Sequence, residues 1–167
     1  MTSKYKFEEY SLNYKKQYSL ELRKLNKFLK KFNPKIEHFG STAVPGLGGK
    51  GVIDIIIKIK ISQLKSVINL LVENKYELRS THEDEERTFF LRKYKSKKGE
   101  RFIHIHLTTS QSTYDKKIKF RDYLLNNKKA CEEYILIKKN AVKHCKDDGH
   151  LYQKLKSKFM DKVMKRI

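Results

Sequence analysis

The sequence predicts an α/β (α+β) fold, a mixed β-sheet core with C-terminal helices. Three observations carry that expectation. Apolar residues recur at helical spacing near both ends of the chain and at strand spacing in the middle. Residues 52–57 are nearly all apolar, as in a strand covered on both faces. A glycine-rich segment over residues 40–51 runs straight into that strand, which carries one acid, Asp54.

Tyr14 to Phe32 reads as an amphipathic helix, with Tyr18, Leu22, Leu25 and Leu29 near one face and lysines on the other. Asn33-Pro34 ends it. Lys35 to Phe39 is a short extended piece leading into the Gly-Ser turn, and Val52 to Ile61 is the apolar strand. Ser62 is placed to cap the next helix, whose stripe is Leu64, Val67, Ile68 and Leu71. Tyr76 to Ser80 reads as a strand and residues 81–86 as an acidic loop. Arg87 to Tyr94 and Arg101 to Thr109 read as two strands joined by a lysine-rich hairpin turn. The remainder is helical. Ser112 with Asp115 three residues later gives a start like a capping box. Lys128 to Lys146 and His150 to Arg166 are two further helices, with Gly149 between them suited to a left-handed cap. Leu151, Leu155, Phe159 and Val163 form the buried stripe of the last one. The order helix, strand, helix, strands, helices suits a small mixed sheet.

At 167 residues the chain is expected to form one domain spanning 1–167, with a real core. It contains no run of 18 apolar residues and no apolar leader core at the start, so a membrane partner is not expected and a cytoplasmic location is. Cys131 and Cys145 on one helix would lie roughly 21 Å apart, too far to bridge, and read as free thiols in a reducing compartment. The net charge of +20 points to a polyanionic partner such as RNA, DNA or a phosphorylated small molecule. A lysine coat over a solvated surface is the other reading. Lysine far outnumbers arginine here, and arginine is the usual phosphate clamp.

The segment from His38 to Ile55 concentrates the chemistry. A Gly-Ser turn at Gly40 and Ser41, followed by Thr42, sets backbone N–H groups and a hydroxyl where phosphate oxygens can dock. Asp54 on the following strand can hold the Mg²⁺ or Mn²⁺ that bridges those oxygens. The alternative for Asp54 is a salt bridge to Lys50, Arg87 or Arg121. His104 and His106 lie two apart on a strand and point to one face, where they could join Asp54 as metal ligands or act as a base. Otherwise they are hydrogen-bonded histidines on a half-exposed strand. Lys50, Arg87 and Arg121 are candidates for contacting phosphate, with loop exposure or internal ion pairing as the alternative. Tyr134, Lys138, Tyr152 and Lys156 could reach a cleft from the C-terminal helices, although tyrosine at helical spacing is more often core. One acid of the loop at residues 83–86 is a further possible ligand.

These residues also resemble a known family. The run from His38 to Ile55 is similar to the signature of the GrpB family, a branch of the nucleotidyltransferase superfamily, with Gly51 where members usually have Pro. His104-Ile105-His106 is similar to its H-L-H strand, and Phe120 to Leu124 to its F-R-D-Y-L motif. Tyr134 with Lys138, and Tyr152 with Lys156, are similar to its Y-x-x-x-K patterns. The resemblance implies a nucleotidyltransferase-like fold and a metal-dependent transfer of a nucleotidyl group from a nucleoside triphosphate to an unidentified acceptor. It places metal and catalysis at Asp54, His104 and His106, and substrate at Gly40, Ser41, Thr42, Lys50, Arg87, Arg121, Tyr134 and Lys138. One departure matters. Ile56 stands where nucleotidyltransferases usually carry a second acid, and two-metal transfer uses several carboxylates. The alternative is therefore a nucleotide- or RNA-binding module of the same fold. The acceptor, base preference and oligomeric state are not legible in the sequence.

Overall fold

The computed structural model describes residues 6–82, 87–96, 99–146 and 148–167. Helix α1 spans Asn13–Leu29 and a 3-10 turn continues it to Phe32. Leu25 and Leu29 of the expected stripe are buried, Tyr18 and Leu22 are only partly so, and Tyr14 and Glu21 complete the buried side. Asn33 takes a left-handed φ of 48° and ends the helix before Pro34.

Strands β1 (Lys35–Phe39), β2 (Ile53–Lys58), β3 (Glu77–His82), β4 (Arg87–Ser96) and β5 (Gly99–Thr108) form one sheet in the order β1-β2-β5-β4-β3. β2 and β5 are parallel, and the other neighbours are antiparallel. The sheet is therefore mixed, as expected. β2 is central and both its faces are covered. Ile53, Ile55 and Ile57 share a core with Leu25 and Leu29 of α1, with Val67 and Leu71 of helix α2 (Leu64–Glu73), and with Ile103, Ile105 and Leu107 of β5. On the opposite face Ile56 is fully buried with Phe39 and with Tyr114 and Ile118 of helix α3 (Gln111–Asn126). Removing a side chain this deep, as in Ile55→Ala, costs about 2–5 kcal/mol.

Helices α4 (Lys128–His144) and α5 (Gly149–Met164) pack with α3 on that second face. Their shared core, including Leu124, Cys131, Tyr134 and Phe159, also takes in Val44 and Leu47 of the glycine-rich loop. That docking fixes the loop against the helices. Both cysteines are free and buried.

Three expected caps move. The segment before α2 is a 3-10 turn over Ile61–Gln63 that contains Ser62, and Gln63 rather than Ser62 makes the local bond, its Oε1 accepting from Lys60 N–H at 3.1 Å. Ser110, not Ser112, caps α3, its Oγ accepting from Thr113 N–H at 3.3 Å. Gly149 is the first residue of α5. Asp148 caps that helix, and Lys146 takes the left-handed φ of 46° expected of Gly149. At α3 and α5 a short acceptor side chain beside free N–H groups marks the start, and neighbouring candidates cannot be ranked by type. The acidic loop at residues 83–86 lies outside the described residues.

Between the sheet and the first two helices sits a buried polar group of three. Glu21 of α1 accepts from Tyr76 Oη at 2.6 Å and from Arg92 Nε at 2.7 Å, and the second Arg92 nitrogen pairs with its other oxygen. Glu21 is only 1% exposed. A buried carboxylate is tolerated here because a bidentate guanidinium and a hydroxyl satisfy it.

Candidate functional site

The second face of the sheet carries the other polar centre. In the parallel pairing Asp54 of β2 lies directly beside His104 of β5, and Ile56 beside His106. All project to the side covered by α3, α4 and α5. Asp54 Oδ1 lies 3.2 Å from His104 Nδ1 and 3.7 Å from His106 Nε2. Phe89 packs edge-on against both imidazoles and Phe39 against His106, so the rings have little freedom. Burial alone would raise the Asp54 carboxyl. The His104 contact and the adjacent His106 ring outweigh it and hold the group well below the usual carboxylate range. Asp54 is therefore ionised at neutral pH.

His106 is the deeper ring. Burial lowers its pKa to about 4, against the pull of Asp54, and it is neutral at pH 7. The Arg87 guanidinium contacts His106 Nδ1. Guanidinium only donates, so Nδ1 accepts and the ring proton sits on Nε2, facing Asp54. Nε2 is buried and has no hydrogen-bond partner among the described residues.

One oxygen of Asp54 with the two imidazoles forms a set of three donor atoms within 4.8 Å of one another. Ligands of a single ion at ~2.1 Å stand about 3–3.5 Å apart, which suits the Asp54 contacts. The orphaned Nε2 is also aimed at this point. The residues fit a divalent ion, with one condition: His106 can ligate through Nε2 only after Arg87 gives up Nδ1.

The Gly-Ser turn is built around Asp54. Phe39, at the end of β1, pairs with Asp54. Gly40 follows with φ 72°, and a Cβ there would lie 2.5 Å from Asp54 Oδ2. Only glycine lets the backbone come this close to the carboxylate. Ser41–Ala43 form a 3-10 turn. Thr42 is turned inward: its hydroxyl donates to the Val52 carbonyl at 2.9 Å and accepts from His38 Nε2 at 2.9 Å. Burial, with Arg121 adding to it, lowers the His38 pKa to about 4, so this brace is uncharged at pH 7.

Lys138 and Lys156 lie near enough for the Asp54 charge to act on them. Lys138 of α4 is 2% exposed, and its Nζ donates to the Gly48 carbonyl. A Cβ on Gly49 would meet both this Nζ, at 3.4 Å, and Ser41 Oγ, at 2.8 Å, so lysine and serine converge on the loop. Lys156 of α5 and Lys50 of the loop share one aromatic support, their Nζ atoms 4.2 and 4.9 Å from the centre of the Tyr152 ring. Burial, then repulsion from Lys156, lowers Lys138 to about 7. Burial, then repulsion from Lys50, lowers Lys156 to about 8, with Lys117 adding to the effect and Asp54 opposing it.

The structure thus brings together Asp54, His104, His106, Gly40, Ser41, Lys50, Arg87 and Lys138. It does not bring Arg121 into the group. That guanidinium bonds Glu37, Asp122 and the His38 carbonyl, each at 2.7–2.8 Å, which fastens α3 to β1. Tyr134 is buried and stacked on Phe159 at 4.8 Å. Its hydroxyl is raised by burial and then by Tyr152 and Asp54, and stays protonated. The sequence marks Lys156 as able to reach a cleft but not as a substrate residue, and it gives no sign of Lys117. The Tyr152-Lys156 spacing pointed to the first. Nothing separates Lys117 from the other lysines of α3.

Comparison with known proteins bears on the family and the fold. The GrpB protein family model matches residues 4–166. A UPF0157 protein of Halalkalibacterium halodurans is 28% identical over 162 residues, covering 95% of this chain and 80% of that protein. The glutamate-rich protein GrpB of Alkalihalophilus pseudofirmus is 28% identical over 165 residues, covering 95% and 92%. The crystal structure of a conserved GrpB protein from Enterococcus faecalis superposes with a TM-score of 0.78 at 24% identity over 96% of this chain and 98% of that one. A cytoplasmic RNA terminal U-transferase superposes with a TM-score of 0.55 at 16% identity, over 81% of this chain and 42% of that one, and shares the fold. The matched model, spanning nearly the whole sequence, shows that this chain belongs to the GrpB family.

Proposed function

We propose that the chain transfers a nucleotidyl group from a nucleoside triphosphate to an acceptor hydroxyl in a metal-dependent reaction. The observation that carries this reading is one ionised carboxylate beside two imidazoles, set against a glycine turn, with lysines of the loop, α4 and α5 nearby. Asp54, with one or both imidazoles, would hold a Mg²⁺ or Mn²⁺ ion. Such an ion supplies positive charge against the phosphates. The backbone of Gly40 and the Ser41 hydroxyl receive phosphate oxygens, while Thr42 keeps the turn in shape. Lys50, Lys138 and Lys156 offset the phosphate charge.

His104 is the better candidate for base. Its side chain is 24% exposed against 10% for His106. With Nδ1–H directed at Asp54, its Nε2 is left as the acceptor for a hydroxyl proton. Tyr134 supports α5 through Phe159, and Arg121 holds α3 against β1. Both act on the shape of the cleft.

Burial of Ile56 beside the site favours a second reading, a nucleotide- or RNA-binding module without turnover. Purified protein incubated with α-labelled triphosphates, divalent metal and candidate acceptors separates the two. Label transfer or pyrophosphate release supports the transferase. Binding with neither transfer nor hydrolysis rejects it for the module, whose RNA affinity would fall steeply with salt.

A further inference from the structure

A two-ion phosphoryl-transfer site needs several carboxylates to hold ions ~4 Å apart. Here the position next to Asp54 on the same strand face is Ile56, fully buried under Phe39 and Tyr114. Among the described residues, the group able to hold a metal contains a single carboxylate. What the site has instead is ammonium groups at fixed places. Lys138 Nζ is tied to the Gly48 carbonyl, and Lys156 Nζ sits 4.2 Å from the centre of the buried Tyr152 ring. Neither makes an ion pair of 4 Å or less with an acid among the described residues. A buried ammonium without an anion is costly, and its cost is recovered when an anion arrives.

We propose that Lys138 and Lys156 take the place of a second metal ion, so that the site binds a triphosphate with one divalent ion at Asp54 and two ammonium groups along the phosphate chain. This rests on the nucleotide reading above. The ammonium groups are preorganised, since α4 and α5 hold them through Gly48 and Tyr152 before any ligand enters. Burial lowers both pKa values, with repulsion from Lys156 adding to it at Lys138 and from Lys50 at Lys156, as expected of charges held close together without an anion.

The test counts ions. Mn²⁺ is titrated into wild-type protein with the α,β-methylene analogues of ATP and UTP, and free Mn²⁺ is read by electron paramagnetic resonance. One bound Mn²⁺ per protein–nucleotide complex is expected, with no second ion at high Mn²⁺. Lys156→Gln is expected to weaken the analogue about 10-fold or more while the count stays at one, and Lys156→Arg to restore part of it. Circular dichroism melts of each variant read folding separately. Two ions per complex, or an unchanged affinity in Lys156→Gln, would overturn the proposal and leave the nucleotide reading standing. No binding of either analogue would overturn both.

Discussion

Two buried polar clusters lie on opposite faces of the same sheet, and they differ in charge balance. On the α1–α2 face, Glu21 is matched by Arg92 and Tyr76, and every partner sits within bonding distance. On the α3–α5 face, one carboxylate faces two imidazoles and a group of lysines, and a ring nitrogen of His106 is left without a partner among the described residues. The first cluster is complete in the free chain and serves the fold. In the proposed function an anion and a metal ion complete the second, which is how binding sites commonly differ from cores.

The comparison can be broken at several points. The largest effect is expected at the balanced cluster. Glu21→Ala leaves the half-buried Arg92 without its carboxylate and should lower stability by about 3–5 kcal/mol in urea unfolding, with triphosphate affinity little changed in the folded fraction. A loss below that of an exposed pair would show that Glu21 is not structural. Next comes Gly40→Ala. Its positive φ and the 2.5 Å approach to Asp54 predict a stability loss of about 1–3 kcal/mol together with weaker binding. Full stability and affinity in this variant would contradict the geometry of the turn.

Smaller and opposite in sign is Lys156→Met. Removing an ammonium that has no acid partner among the described residues should raise the melting stability of the free protein by about 1 kcal/mol while weakening binding. A destabilised variant would place Lys156 with the structural residues. The smallest effect is expected at the exposed Lys93–Glu100 pair, whose removal should change stability by at most about 1 kcal/mol.

The lysines also set a pH dependence. Lys138 and Lys156 have folded pKa values of about 7 and about 8, below the 10.5 of a free lysine. Below pH 7 both the folded and unfolded chains carry these protons, and the cost of burying the charge is constant. As pH rises from about 7 toward 10.5, the folded chain releases protons that the unfolded chain keeps, so this contribution to stability grows. Lys156→Met should lose part of that rise in melts taken across the range. Triphosphate affinity should run the other way, weakening above about pH 7 as Lys138 and then Lys156 lose their charge.

Much of the fold was legible in the sequence because its strongest signals had few physical readings. The isoleucine run could only be a covered strand, and Asp54 within it had to face a cleft or a partner. The H-x-H spacing put both rings on one face. The pairing of β2 with β5 was not legible, because a parallel neighbour is chosen by tertiary packing and not by either strand alone. The salt bridges considered for Asp54 gave way to histidines for that reason. Arg121 was ambiguous since a buried guanidinium serves an internal acid or a phosphate with the same geometry. Lys117 was hidden by abundance: in a lysine-rich chain, residue type carries little information until burial sorts it.

The central claim is that the Asp54 cleft is completed by a polyphosphate and a divalent ion. Isothermal titration calorimetry of ATP, GTP, CTP and UTP, each with Mg²⁺ or Mn²⁺, on wild type and Asp54→Ala tests it most directly. The account predicts metal-dependent binding of at least one triphosphate by the wild type and its loss in Asp54→Ala. Binding that persists undiminished in Asp54→Ala, or no binding of any triphosphate to the wild type, would contradict it.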